Sequence, residues 1–544
     1  MEKLREIYGD SFLRFVLVQD DLDKELSSDQ QASLGLLADI VAQSEARDDN
    51  DFARQINLSH AMSHYFPDRS TTLGWVLRLQ SGGSMSAVEH DDELTRALLT
   101  AARDTWPAFL LPTPKDWHSG FRASTFSYPA ARTAMRLLLE DEAIRQLFPS
   151  APTETPTDIE SLAKIHSNVM FSSGHGGGLQ LVMIPDMLLG SARARQFADG
   201  NPNDMADFFA KVVTVLDEAR KLARGEEITV PKFVGLANME VSDEIVVEMP
   251  FGKLRAPRDN DELVLPSASP SGGGQLTAVL ETTSSLKIVH RQSWEEASED
   301  DLTKPLEALR PVFEQYNVRG ERNVTMTRYA ALLASGEILI APAQLSQTVF
   351  EPLSHMPAQS WAFFVGMPSG ISTLDTDASE RMKGWADKIG KQHPANLDLG
   401  VRRLLSAAGV RLDPVDGFID AVVCWENMFG SVTESTFRIC GAMACLLEPT
   451  DKAKRLTLFN ALKKLYEARS RVVHGAKELS SQIAYEHRTE SIKRALEATR
   501  RLYDHPNLLN AKDSAERGRD VLLHMGLDVG IQDVGGAEPE SESR

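Results

Sequence analysis

Residues 465–475 read LYEARSRVVHG and bring two guanidinium groups, a hydroxyl and an imidazole close together at Arg469, Ser470, Arg471 and His474. Cutting RNA without a metal needs one group to take the proton of the ribose 2′-OH and another to protonate the leaving 5′-oxygen. It also needs a cation against the charge that builds on phosphorus. An imidazole exchanges protons near neutral pH, and a guanidinium can hold a phosphate diester through two hydrogen bonds. Gly475 is a helix stop, so His474 falls in the last turn, where the negative end of the helix dipole favours the protonated ring. The plain structural role of an Arg and a His near a helix end is to satisfy the last carbonyls and that dipole. Spacing adds a condition. Arg469 and His474 lie about 140° apart around a regular helix, whereas Arg471 and His474 are i, i+3 neighbours, so spacing alone pairs His474 with Arg471.

Other stretches carry weaker signals. The glycines of SSGHGGG (172–178) could offer backbone N–H groups to a phosphate. However, the lysine of the phosphate-loop pattern is missing, and no GxGxxG opens a helix after a clear strand. A flexible turn is expected there, with a hydrolase or nucleotide site as a third-ranked function. SPSGGG at 269–274 reads as a plain loop. His60 and His64 are spaced i, i+4, as a zinc site on one helical face needs, but Ala61 stands where the metalloprotease pattern has Glu and no third ligand is evident. No metal or other cofactor is called for. There is no GxSxG elbow, and Cys424, Cys440 and Cys445 are expected to be buried free thiols.

These residues must be held by a long chain. Its 544 residues carry 58 Lys plus Arg against 78 Asp plus Glu, a net charge of −20. No apolar run is long enough to span a membrane, and the start, MEKLREIYGD, lacks the apolar core of a secretory signal, so a cytoplasmic protein without a membrane partner is expected. Apolar spacing and turn residues predict a mainly α chain with a β-rich middle, a multidomain α+β architecture. Residues 1–225 read as a helical region and 226–365 as a β-rich or α+β module with helices at 300–316 and 324–333 and a last strand at 338–340. A connector follows at 366–395. Residues 396–510 read as a five-helix bundle, with helices at 399–408, 414–429, 434–447, 452–473 and 481–503. The tail, 511–544, is expected to be partly disordered.

The bundle's residues, taken in order, resemble the HEPN superfamily (higher eukaryotes and prokaryotes nucleotide-binding), whose ribonucleases carry Arg, a polar residue, three to five others, then His. Here these are Arg469, Ser470, 471–473 and His474. The string is similar to the Apea-like HEPN branch, in which R-S-x-x-x-H-G follows a tyrosine-bearing helix. DGFIDAVVCWENMF (416–429) resembles that branch's helix with an acidic residue, Glu426. ESTFRICGAMACLL (434–447) is similar to its E-x-x-x-R…A-x-L-L helix. The likeness covers 396–505, roughly a fifth of the chain.

The resemblance implies a bundle that forms a homodimer or higher homo-oligomer, with two strings facing each other in one cleft. Arg469 would meet the phosphate, His474 would serve as acid and base, Ser470 would assist, and Glu426 would orient Arg469 or the imidazole. Arg471, Lys463 and Lys464 would contact RNA. Nucleotidyltransferase-paired members carry a tyrosine two residues after the histidine. Ala476 stands there, so regulation by modification of such a tyrosine is not expected. The family further implies a bacterial anti-phage, abortive-infection effector that cleaves RNA such as tRNA. Residues 1–395 would then sense a phage-derived or nucleotide trigger. The alternative is a non-catalytic HEPN scaffold for dimerisation or for RNA or nucleotide binding.

The acidic balance fits such an enzyme once it is divided by segment. Residues 395–510 hold 17 Lys plus Arg and 14 Asp plus Glu, a net of +3, which leaves −23 on the remainder. Within 451–471 alone seven basic residues face two acidic ones. A phosphate substrate responds to this local charge, because charge beyond about 10 Å is largely screened at moderate salt.

Overall fold

A computed structural model of the chain describes residues 1–45, 51–112, 125–266, 275–293, 299–336, 339–354, 358–363, 370–431, 434–475 and 478–525. The loop 269–274, Ala476 and the end of the tail lie outside these residues. The chain is mainly helical with an antiparallel sheet in its middle.

In the first part, helices Glu2–Leu17, Glu93–Phe109, Pro129–Glu140, Ile184–Ala198 and Met205–Ala223 enclose a core that includes Tyr8, Phe12, Trp106, Leu138, Phe208 and Leu216. The stop at Gly225 is present, at φ +75°. This region is not purely helical. His166–Phe171 and Gly176–Gln180 form a hairpin, and Ile288–Ser293 pairs antiparallel with the first strand. The expected boundary at residue 225 is therefore crossed by a sheet, and Ile228 and Val230 join the first core.

Asp186 lies in the first turn of Ile184–Ala198, and its Oδ1 accepts from the N–H (2.9 Å) and hydroxyl (2.6 Å) of Thr125. Burial pushes this carboxyl up to about 6 from its ordinary 3.8, against the pull of the Thr125 bonds. The folded chain thus keeps a proton that the unfolded chain releases. The associated stability is full below about pH 4 and is lost as pH rises through about 6. Such a shift is worth about 3 kcal/mol at most, and about 1–2 kcal/mol for a half-buried group. Asp186→Asn keeps an acceptor for Thr125 without the charge. Denaturant unfolding should find the variant stabilised by about 1–2 kcal/mol near pH 8 and unchanged near pH 4. An equal change at both would remove titration as the cause.

The middle sheet runs in the order Gln359–Ala362, Ala343–Val349, Ile228–Ala237, Ala278–Leu286, Gly252–Arg255, Val246–Met249, all antiparallel. The two helices expected at 300–316 and 324–333 are one, Glu299–Ala334. Gly320 does not break it. Lys232, 2% exposed on the central strand, donates to Gly320 O (3.2 Å) and pairs with Glu321 (2.9 Å), tying the helix to the sheet where a break was expected. No strand forms at 339–340, the described part of the expected last strand; the sheet takes up its final two strands later, at Ala343–Val349 and Gln359–Ala362.

The stretch 366–395, expected as a connector, holds a strand, Ser372–Leu374, and a helix, Thr376–Gln392. Asp375 caps that helix by accepting from the Ala378 N–H at 2.8 Å. Its buried Ala378, Met382, Ala386 and Ile389 recur at helical spacing and pack in the core shared by the sheet and the bundle.

The five expected bundle helices are Asp398–Gly409, Pro414–Phe429, Ser435–Leu447, Lys452–Val473 and Ser481–Tyr503. Asp413 with Pro414, Asp451 and Ser480 cap three of them through backbone N–H groups. Two more helices follow, the short Pro506–Leu509 and then Ser514–Leu522, which packs on the bundle from within the expected tail and buries Arg517. All three cysteines are free and buried, and burial pushes the thiols of Cys424 and Cys440 up to about 12.

Candidate functional site

The Lys452–Val473 helix starts where Asp451 accepts from the N–H groups of Ala453 and Lys454, both at 3.0 Å. It buries Leu458, Leu462, Leu465, Tyr466 and Ala468 and leaves Lys463, Lys464 and Arg471 in solvent. The helix ends as the sequence requires. His474 is the C-cap residue, its N–H closing on Ser470 O at 3.1 Å, and Gly475 follows at φ +68°.

Arg469 turns inward. Its Nη2 lies 3.1 Å from Oε2 of Glu426 on the Pro414–Phe429 helix, and the Tyr466 hydroxyl donates to Oε1 of the same carboxylate at 2.8 Å. Arg469 is 19% exposed and Glu426 28%, so the bridge stands at the edge of the bundle core with one side open. Burial first, then the neighbouring Glu426 carboxylate, raises the Tyr466 phenol well above its usual range, so it stays a donor. Arg469 Nε is buried with no partner among the described residues.

The structure thus brings together Glu426, Tyr466 and Arg469. Glu426 meets the guanidinium and not the imidazole. Sequence reasoning misses Tyr466 as a site residue, although its i, i+3 relation to Arg469 is a signal. Ser470 is half-buried and Arg471 and His474 are exposed, and no hydrogen bond joins these side chains among the described residues. The i, i+3 pairing of Arg471 with His474 places both at one exposed helix end without a direct bond. Lys463 pairs at 3.7 Å with Glu467, both half exposed, an interaction worth little in water. Arg455 is drawn away, donating to Glu448 O at 2.8 Å and to Pro449 O.

The remaining candidates resolve differently. The helix that carries His60 ends at Met62, so His64 lies beyond it, edge-on to Phe66 at 4.9 Å. A shared helical face for the two imidazoles is therefore not formed. Among the described residues no group of His, Cys, Asp and Glu could hold a metal ion. At 172–178 the expected turn joins two strands, and Gly176–Gly178 lie in the second of them rather than in a loop opening a helix. Gly176 is required by close approach, since a Cβ there would meet Val169 O at 2.3 Å.

No family model, curated protein or solved structure matches the chain.

Proposed function

We propose that the chain is a metal-independent endoribonuclease of the HEPN type, a cytoplasmic anti-phage effector restrained by its first 395 residues. The observation that supports this best is the Glu426–Arg469 bridge, which fixes a guanidinium at the open edge of the bundle beside the helix end that exposes His474. Two copies of the bundle would set two such edges in one cleft. Each His474 then takes the 2′-OH proton or gives one to the leaving 5′-oxygen, and each Arg469 steadies the phosphorane. Ser470 assists, and the exposed Lys463, Lys464 and Arg471 hold flanking phosphates of the RNA, tRNA being one candidate.

The test is cleavage by the purified chain in EDTA, with RNA products ending in a 2′,3′-cyclic phosphate and activity lost in both Arg469→Ala and His474→Ala. Unchanged cleavage in the two variants rejects the site.

A second reading has its own support. Within one chain no hydrogen bond joins the His474 side chain to the bridge among the described residues, which would suit a non-catalytic scaffold in which Glu426 and Arg469 only join two helices. That scaffold binds RNA or a nucleotide without product, and its biological effect survives His474→Ala.

A further inference from the structure

The hairpin turn 172–175 holds a constellation that the ribonuclease reading does not use. Ser173 Oγ lies 2.8 Å from Nδ1 of His175, and His175 Nε2 lies 2.6 Å from Oε2 of Glu351. Glu351 follows the Ala343–Val349 strand and is 1% exposed. A buried carboxylate is costly unless paired, and His175 is the partner its Oε2 meets, while Oε1 is buried with none among the described residues. Burial raises the Glu351 carboxyl against the pull of the His175 bond. With the carboxyl in its ionised form, the imidazole proton must sit on Nε2. Nδ1 is then a lone-pair acceptor and the Ser173 hydroxyl is its donor. This is the ground state of a nucleophile, a base and a group that fixes the base's tautomer.

The surroundings suit a reagent that approaches from solvent. Ser173 is half-buried and the His175 side chain 25% exposed, so both are reachable. Phe171, 2% exposed, backs the imidazole from the core side at 5.2 Å, and Trp361, 37% exposed, stands edge-on to it at 6.4 Å and is the flat apolar face a reagent can meet. Gly174 turns at φ +89° beside Phe313 and adds no side chain over the serine.

We infer that Ser173, His175 and Glu351 form a second site, an acyl-accepting serine relay that takes esters with a flat, apolar acyl group. Ser173 Oγ bonds to the carbonyl carbon as its proton passes to Nδ1. The C–O bond to the leaving alcohol then breaks, and the imidazolium returns that proton to the departing oxygen. Water later attacks the acyl carbon, giving its proton to Nδ1, and the acid leaves as Oγ regains a proton. The Gly174 N–H is already given to Phe171 O at 2.9 Å, so the turn does not offer it to an oxyanion. One missing oxyanion donor costs about 10²–10³ in rate, so acylation by activated esters is expected rather than fast turnover of ordinary ones.

The experiment treats the full chain with p-nitrophenyl benzoate and, separately, with a fluorophosphonate, then maps the adduct by peptide mass. The expected result is an adduct on Ser173, absent in Ser173→Ala. Labelling should be slowed about 10²–10⁴-fold in His175→Gln, the range for losing a general base. Glu351→Gln is expected to slow it as well, provided thermal melting shows the chain folded. No adduct on Ser173 in the folded wild-type chain, or equal labelling in His175→Gln, overturns the inference and leaves the trio as a clamp of the hairpin onto the sheet. Cleavage of RNA in EDTA by Ser173→Ala is read in parallel and is expected to be unchanged, which keeps the two sites distinguishable.

Discussion

Metal-independent RNA cleavage is expected to fall about 10²–10⁴-fold in His474→Ala, the range for removing a general acid–base group. His474 is exposed at the end of its helix and bonds to none of the described residues through its side chain, so the substitution should leave the melting temperature within error. That separation of activity from stability is the useful feature. Arg469→Ala should fall as far but should also destabilise, because it leaves Glu426 without its cation at a half-buried site, at a cost of about 1–3 kcal/mol.

Glu426→Gln distinguishes positioning from mere charge balance. The amide keeps an acceptor for either Tyr466 or Arg469, and the loss of one negative charge makes the edge more attractive to phosphate. RNA should therefore bind slightly tighter, with a steeper salt dependence, while kcat drops by about 10–100-fold as the guanidinium loses its fixed orientation. Tyr466→Phe removes one of the two restraints on the carboxylate and should cost less than Glu426→Gln. Measurement of kcat and KM separately across salt checks the series. A kcat untouched by Glu426→Gln alongside an inactive Arg469→Ala would reduce Glu426 to a counter-ion.

Much of the bundle was legible because its signals are local. Asp413-Pro414, Asp451 and Ser480 announce helix starts, Gly475 announces a stop, and the apolar residues between them recur at helical spacing. The signals of the Thr376–Gln392 helix are equally local, but the Gly-, Ser- and Asp-rich stretch ahead of it reads as a linker and runs into its first turn, which obscures its four buried positions. What could not be read is what the chain brings together from afar. Ile288–Ser293 joins a hairpin more than a hundred residues earlier, which no periodicity announces. Likewise Ser173 and His175 are near neighbours in sequence, yet the carboxylate that gives their pairing chemical meaning is residue 351. In the string at 465–475, spacing pairs Arg471 with His474. The orientation of Arg469 is instead decided by an acid on another helix, 43 positions away.

The largest effect on stability is expected at Arg517, in the stretch that composition assigned to a tail. Its guanidinium is fully buried. Nε donates to Leu508 O at 2.9 Å, Nη1 to Met428 O at 3.0 Å, and Nη2 to Asn396 Oδ1 at 3.1 Å and Leu509 O at 3.2 Å. Those acceptors lie on separate segments: the entry to the first bundle helix, the end of the helix that carries Glu426, and the short helix Pro506–Leu509. Burial lowers the guanidinium to about 10, so it is still charged near neutral pH and its bonds are of the stronger, charge-assisted kind. Arg517→Ala opens a cavity and leaves these acceptors without water or protein to replace the donors, and a loss of about 3–5 kcal/mol is expected. Against a total stability of about 5–15 kcal/mol, that is enough to loosen the bundle at ordinary temperature. Arg517→Lys retains the charge on a single nitrogen that cannot reach all four acceptors, and it should fall between the two. Denaturant unfolding followed by far-UV circular dichroism reads both. A chain ended after residue 512 should behave like Arg517→Ala or worse, because Gly518 also packs against Phe429 O, where a Cβ would come within 3.0 Å. If the truncated chain unfolds at the same denaturant concentration as the whole, the Ser514–Leu522 helix is an ornament on the bundle and not its keystone. The Glu426 helix, whose end Arg517 ties down, would then have to be held by its own packing alone.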